Sequence, residues 1–274
     1  HIPEGYVLAT DADFSGTQNG YFKYIGSADY VVIPHVIKGV PVISYNEMFK
    51  GTGVKGVASD NPNIISMMSM FEGATSSTLE LIYLDTSNVT DMRSMFRNNQ
   101  ATSLDLSNFD TSNVTWMVSM FNGSQATSLD LSSFNISQVT DMSDMFSESK
   151  ATVLDLSSFD MSNFDGSNTQ YSFTRMLWSC AATIGYARTQ ADADILNSVS
   201  GKPYDLTFYP QGYEPPETPE TTEPEWVLAK DSDFNGFTDG EFTYKGTAEY
   251  VIIPDKIKYI PVTSYRNMFK GTAV

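Results

Sequence analysis

The chain is poor in the groups that most enzyme chemistry draws on. Among its 274 residues there is one cysteine, Cys180, and there are two histidines, His1 and His35. A lone cysteine builds neither an intramolecular disulfide nor a thiolate zinc site, and so few imidazoles exclude most hydrolase and metalloenzyme arrangements. Basic residues are also scarce, 16 Lys and Arg against 33 Asp and Glu, for a formal net charge of −17. With no Lys/Arg stripe to displace counterions, nucleic acid is excluded as a partner, and an anionic membrane surface is disfavoured for the same reason. No apolar run approaches the roughly 20 residues that cross a bilayer, so no membrane insertion is expected in this segment. No leader-like stretch follows His1, and the chain reads as a mature or excised piece. What it does have is apolar and aromatic content, 41% and 13%. That is enough buried surface to offset the entropy of ordering.

That content is arranged in a repeat, which decides the fold. Met-Phe recurs at Met70-Phe71, Met95-Phe96, Met120-Phe121 and Met145-Phe146, a constant spacing of 25. The segments between stay in register: TLELIYLDTSNVTDMRSMF from Thr78, SLDLSNFDTSNVTWMVSMF from Ser103 and SLDLSSFNISQVTDMSDMF from Ser128, with a partial copy from Val153. Alternation in SLDLS places Leu104 and Leu106 on one side of a short strand. Val114, Met117 and Phe121 then stand at the spacing of one helical face, with Ser112-Asn113 as N-cap and Asn122-Gly123 as stop, which predicts a short helix. A strand, a turn and a short helix cannot bury their own apolar edge. The units must therefore stack in parallel as a solenoid, an α/β fold of parallel strands and short helices. The methionines hold fixed places in the repeat and read as core filler.

Residues 5–54 and 225–274 are one module written twice, more than half identical at an offset of 220. Aromatic and β-branched runs around a Gly-containing turn predict a β-hairpin cap, followed by a strand and a first coil. The expected organisation is an N-terminal β cap with first coil over 1–56 and the repeat array over 57–170. A C-terminal cap follows over 171–209, with a helix opened by Thr189 and a strand near Tyr204–Tyr209. A stiff Pro/Glu-rich spacer over 210–225 leads into the second copy of the cap and first coil over 226–274. A longer parent with tandem arrays is the natural expectation.

The unit LDLSNFDTSNVTxMxxMF resembles the repeat of the BspA-like leucine-rich repeat surface proteins, across roughly residues 30–170 and into GYARTQADADILNSVSGKPYDLTFYP. The resemblance implies a leucine-rich-repeat solenoid and attachment or binding. Its members occur on bacterial cell surfaces, in lipoproteins, in some phage structural proteins and in a few parasitic eukaryotes, and they share no common ligand.

Two sets of residues stand out as candidate sites. Stacking in register makes a column of Glu80, Asp105, Asp130 and Asp155, about 4.8 Å apart. It either recruits cations, Ca²⁺ among them, or a basic partner surface, or is satisfied within its turns by Ser103, Ser128 and backbone amides. Trp116 and Val118 put apolar groups where adjacent coils carry Asp91, Asp141, Arg93 and Ser143. They form either a contact patch for a sugar or protein or an indole packed along its neighbour. Ile82 and Tyr83 replace the Ser-Asn slots of later coils and extend the apolar surface in the same sense. DADFSG from Asp11 and DSDFNG from Asp231 read as Asx-turns rather than calcium loops, having no acidic twelfth ligand. Cys180 reads as a core residue.

No catalytic constellation is visible, and no resident metal is expected. The leading expectation is a non-enzymatic extracellular module, on a bacterial cell surface, that presents a rigid repeat surface to a host or neighbouring-cell protein or glycan. The alternative is a structural or host-attachment part of a phage virion.

Overall fold

The structure is a computed structural model that describes residues 2–16, 21–164 and 172–213, together with short strands between 227 and 261. It divides into two compact units, His1–Tyr213 and Glu214–Val274. The first is a β-solenoid of about eight turns with parallel strands. Equivalent strands lie side by side in register: Ser103 opposite Ser128, Leu104 opposite Leu129, and then Val153–Leu156, Ile184–Ala187 and Thr207–Pro210 as three consecutive parallel rungs. Near the start, Val7–Leu8, Tyr30–Val32 and Gly56–Ala58 make another parallel set. The predicted hairpin is present, Phe14–Ser15 antiparallel to Lys23–Tyr24. A second hairpin, Val36–Ile37 with Val40–Pro41, was not foreseen.

The interior is one continuous core. Leu104, Leu106, Phe109, Val114, Met117 and Phe121 are all buried, as are their counterparts in neighbouring coils except Leu129, which is half-buried against the core. At roughly 1.5–3 kcal/mol per large apolar side chain, burial on this scale explains why coils that are unstable alone persist when stacked. The Met-Phe phenylalanines form a ladder through it. Phe96 stacks on Phe121 at 5.6 Å and 6°, and Phe121 on Phe146 at 5.6 Å and 5°.

The short helix expected in every coil is not there. Among the described residues the chain has one α-helix, Gln190–Asn197, opened as expected by Thr189, whose side chain accepts from the Asp192 N–H. In the array, the segment read as helical is a pair of tight turns. Met120 N–H bonds back to the Met117 carbonyl, and Asn122 N–H to that of Ser119. Ser119 and Gly123 close these turns in the left-handed region, at φ 56° and 66°. Intervening amides donate instead to the next coil, from Ser119 to Ser143 and from Phe121 to Met145. Two such turns bring Val114, Met117 and Phe121 to one side just as a helix does, so the apolar spacing alone did not separate them. Ser112 likewise is no N-cap. Its N–H donates to Asp110 Oδ1 in an Asx-turn.

In the second unit the described strands repeat the first at the same offset: Val227–Leu228 parallel to Val251–Ile252, Phe234–Asn235 antiparallel to Thr243–Tyr244, and Lys256–Ile257 antiparallel to Ile260–Pro261. From Glu214 to Glu225 the Pro/Glu-rich spacer lies outside the described residues, and so do residues 231–233 of the DSDFNG motif.

Candidate functional site

Two rows of bridges link the coils. In the first, Gly56 pairs with Glu80 and Ser103–Leu104 with Ser128–Leu129, while single backbone bonds from Thr102 to Ser77 and from Thr152 to Thr127 join the coils between. In the second, Ser66, Asp91, Trp116, Asp141 and Ser172 pair one after another, all parallel. Trp116 thus stands directly between Asp91 and Asp141, in an otherwise polar row.

The surroundings of the indole are well defined. Asp91 is buried, and it holds Arg93 by a two-pronged ion pair, Nε to Oδ1 at 2.9 Å and Nη2 to Oδ2 at 2.6 Å. That pairing lays the guanidinium over the Trp116 ring, 5.3 Å from its centre. A cation so placed contributes about 0.5–1 kcal/mol at an exposed site. The indole nevertheless remains 42% exposed. Backbone bonds from Met92 to the Trp116 carbonyl and from Ser94 to that of Val118 fix the main chain beneath both residues. Val118 is half-buried beside it. The ring therefore packs along its neighbour, as one reading had it, and still presents surface.

Ile82 and Tyr83 are exposed too, but they follow the first row. Tyr83 meets Tyr6 edge-on at 5.7 Å, and Tyr6 meets Tyr30 at 5.3 Å. The four apolar candidates are thus divided between two rows of the coil.

The acidic column also lies along the first row, and the side chains of its three aspartates are turned into their own loops. Asp105 Oδ1 accepts the Ser107 hydroxyl at 2.7 Å and its N–H at 3.0 Å. Asp130 is held likewise by Ser132, and Asp155 accepts the Ser157 N–H. The partners are the serines two residues downstream rather than Ser103 and Ser128. The Ser107 hydroxyl and then its amide hold the Asp105 carboxyl below the usual carboxylate range. Glu80 accepts the Tyr6 hydroxyl at 3.0 Å, and burial, together with this carboxylate, pushes the Tyr6 phenol up. Among the described residues no group of three or more His, Cys, Asp or Glu side chains is arranged to hold a metal ion. At the cap, Asp13 accepts the Thr10 N–H and hydroxyl, which tightens a 3₁₀ turn over Asp11–Asp13. Cys180 is buried, and burial pushes its thiol up.

Sequence reasoning missed the buried threonines. The Thr111 hydroxyl accepts the Asn135 N–H at 2.8 Å and donates to the Asn135 carbonyl at 3.0 Å, and Thr86 does the same for Asp110. Their slot is filled by Ile136 and Met161 in later coils, which was the available sign that it faces inward.

Residues 65–179, which carry the whole second row and the first from Glu80 on, match the family described as "Mycoplasma protein of unknown function, DUF285". Over that stretch the chain is similar to DUF285. No curated protein and no solved structure matches it. The DUF285 segment opens just before Ser66 and closes just after Trp178, so it includes Trp116 and Asp105 alike.

Proposed function

We propose that the chain is a non-enzymatic extracellular binding module of the BspA-like leucine-rich repeat kind, in which the Trp116 face meets a host or neighbouring-cell protein or glycan. The observation that carries this reading is an indole 42% exposed, on a backbone ladder, in a row otherwise made of Ser and Asp. A rigid aromatic ring loses little entropy on contact and supplies large apolar area, which is why such residues anchor interfaces. A guanidinium over one face leaves the rest of the ring for a partner. The repeat's likeness to bacterial surface proteins supports the setting, and a second copy of the cap in the same chain supports use in multivalent array.

The test is a screen of the full chain against extracellular-matrix proteins and a glycan array, repeated with Trp116→Ala plus Val118→Ser. Retained melting temperature with binding weakened about tenfold or more supports the face. Binding that survives both substitutions removes it.

A further inference from the structure

At the start of the solenoid, an open pocket of about 360 Å³ lies between the first hairpin and the coil beneath it. Its walls are fixed by backbone: the Tyr24 N–H donates to the Met48 carbonyl at 2.8 Å, tying the hairpin down. Asn46 Oδ1 accepts the Ser66 hydroxyl at 2.5 Å and the Met68 N–H at 3.0 Å. This fixes the amide's orientation and leaves both Nδ2 hydrogens for another acceptor. Tyr21, 60% exposed, supplies a flat apolar surface, with Phe22 buried behind it. Lys23 adds a donor and Glu47, whose Oε1 also lies 3.6 Å from Lys50 Nζ, an acceptor, so the charges lining the pocket cancel in a chain of −17.

We infer that this pocket binds a neutral saccharide. The volume falls in the range of small-molecule sites, which combine an apolar wall with a few convergent polar groups. A sugar ring offers both halves of the match: C–H groups for the Tyr21 face, and hydroxyls that donate to Glu47 and accept from Asn46 and Lys23. An anionic ligand meets the repulsion of the whole chain, and a cationic one finds Lys23 in its way. Met68 occupies the slot taken by Arg93 and Val118 in the next two coils, so the pocket opens at one end of the row that carries Trp116. The second copy of the module keeps Gly236 and Phe242 but has Glu241, Thr243 and Asn267 in place of Tyr21, Lys23 and Glu47. The sugar chemistry therefore belongs to the first copy. The inference goes beyond the Trp116 face and does not depend on it.

The experiment is saturation-transfer NMR and calorimetry on the full chain. The neutral probes are glucose, galactose, N-acetylglucosamine, N-acetylgalactosamine and lactose, with glucuronic acid and glucosamine as charged counter-probes. At least one neutral sugar binds, about tenfold or more weaker to Tyr21→Ala and to Glu47→Gln, and equally to Tyr21→Phe and Trp116→Ala. Should Tyr21→Ala lower the melting temperature, Lys23→Thr and Glu47→Gln decide by the same criterion. No neutral probe bound at about 10 mM, charged probes alone bound, or binding indifferent to Tyr21 and Glu47 would each overturn the assignment. A retained sugar site with a dead Trp116 face, or the reverse, separates this pocket from the proposed face.

Discussion

One side-chain amide, that of Asn197, serves both polar groups of the Phe208 backbone: its Nδ2 donates to the Phe208 carbonyl at 2.9 Å, and its Oδ1 accepts the Phe208 N–H at 2.9 Å. Thr207–Pro210 is the last rung of its sheet, and the Thr207 N–H is spent inward on Thr183. In a strand the next residue faces the other way, so Phe208 would present its N–H and carbonyl to any passing strand. Asn197, at the end of the only α-helix among the described residues, fills that position and blocks the edge.

Replacing Asn197 by Leu leaves both groups unpartnered and is expected to cost roughly 2 kcal/mol in urea unfolding. The reopened edge should also raise the apparent mass in size-exclusion chromatography at high concentration. An Asn197→Leu chain that stays monomeric and equally stable would show that the amide is incidental.

Phe121 sits mid-ladder, stacked on both sides by Phe96 and Phe146. Phe121→Ala removes a ring that is wholly buried and interrupts two coil interfaces at once. A loss of about 3–5 kcal/mol is expected, and Phe121→Leu should recover more than half of it. Urea titrations followed by circular dichroism give both numbers.

The two variants also mark what was legible. The 25-residue register and the buried set were readable because an apolar side chain at a fixed slot has one place to go in a stack, and Phe121 and Leu104 are where their spacing puts them. Backbone shape was not, because Met117 and Phe121 reach the core equally well from a helical turn and from paired tight turns. The distinguishing sign was local: Ser94, Ser119 and Asp144 recur four residues before Asn98, Gly123 and Glu148, all at positive φ. Small or turn-forming residues at that interval speak for left-handed closure, not helix. The Trp116 anomaly was visible against its neighbours, whereas the guanidinium over it depends on the Asp91–Arg93 pair, and no spacing rule gives that. The pocket at Tyr21 was invisible, since it joins hairpin residues to Asn46 and Met68 across the fold.

Glu148 occupies at φ 59° the slot that Gly123 fills at φ 66°. A side chain there carries the left-handed penalty, and Glu148 is exposed with its backbone N–H on the Trp178 carbonyl. Glu148→Gly keeps that bond and relieves the strain. After the greater freedom of unfolded glycine is subtracted, a gain of about 0.5–1 kcal/mol is expected. The reverse change, Gly123→Ala, brings a Cβ against Asn98 Oδ1 at a left-handed φ and should destabilise. Thermal melts of the pair with opposite signs check the turn assignment.

Asp192 gives the array an acid-sensitive joint. Burial works against its ionisation, but the Thr189 hydroxyl, the Arg188 guanidinium and the Met161 N–H together hold its carboxyl below the usual carboxylate range. The Met161 bond, at 2.8 Å, ties the C-terminal helix to the last DUF285-like coil, and Arg188 reaches on to Asp160 at 2.8 Å. A carboxyl depressed in the folded state adds stability that is complete above its unfolded value, about 3.9, and that drains away as pH falls through the folded value. Asp192→Asn should therefore lose about 2 kcal/mol at neutral pH, where charged hydrogen bonds are broken. The gap to the parent chain should narrow below the ordinary carboxylate range, because the parent then loses the same charge. Urea midpoints of both proteins from pH 7 to pH 3 measure it, and a gap constant with pH would place the role of Asp192 in shape rather than charge.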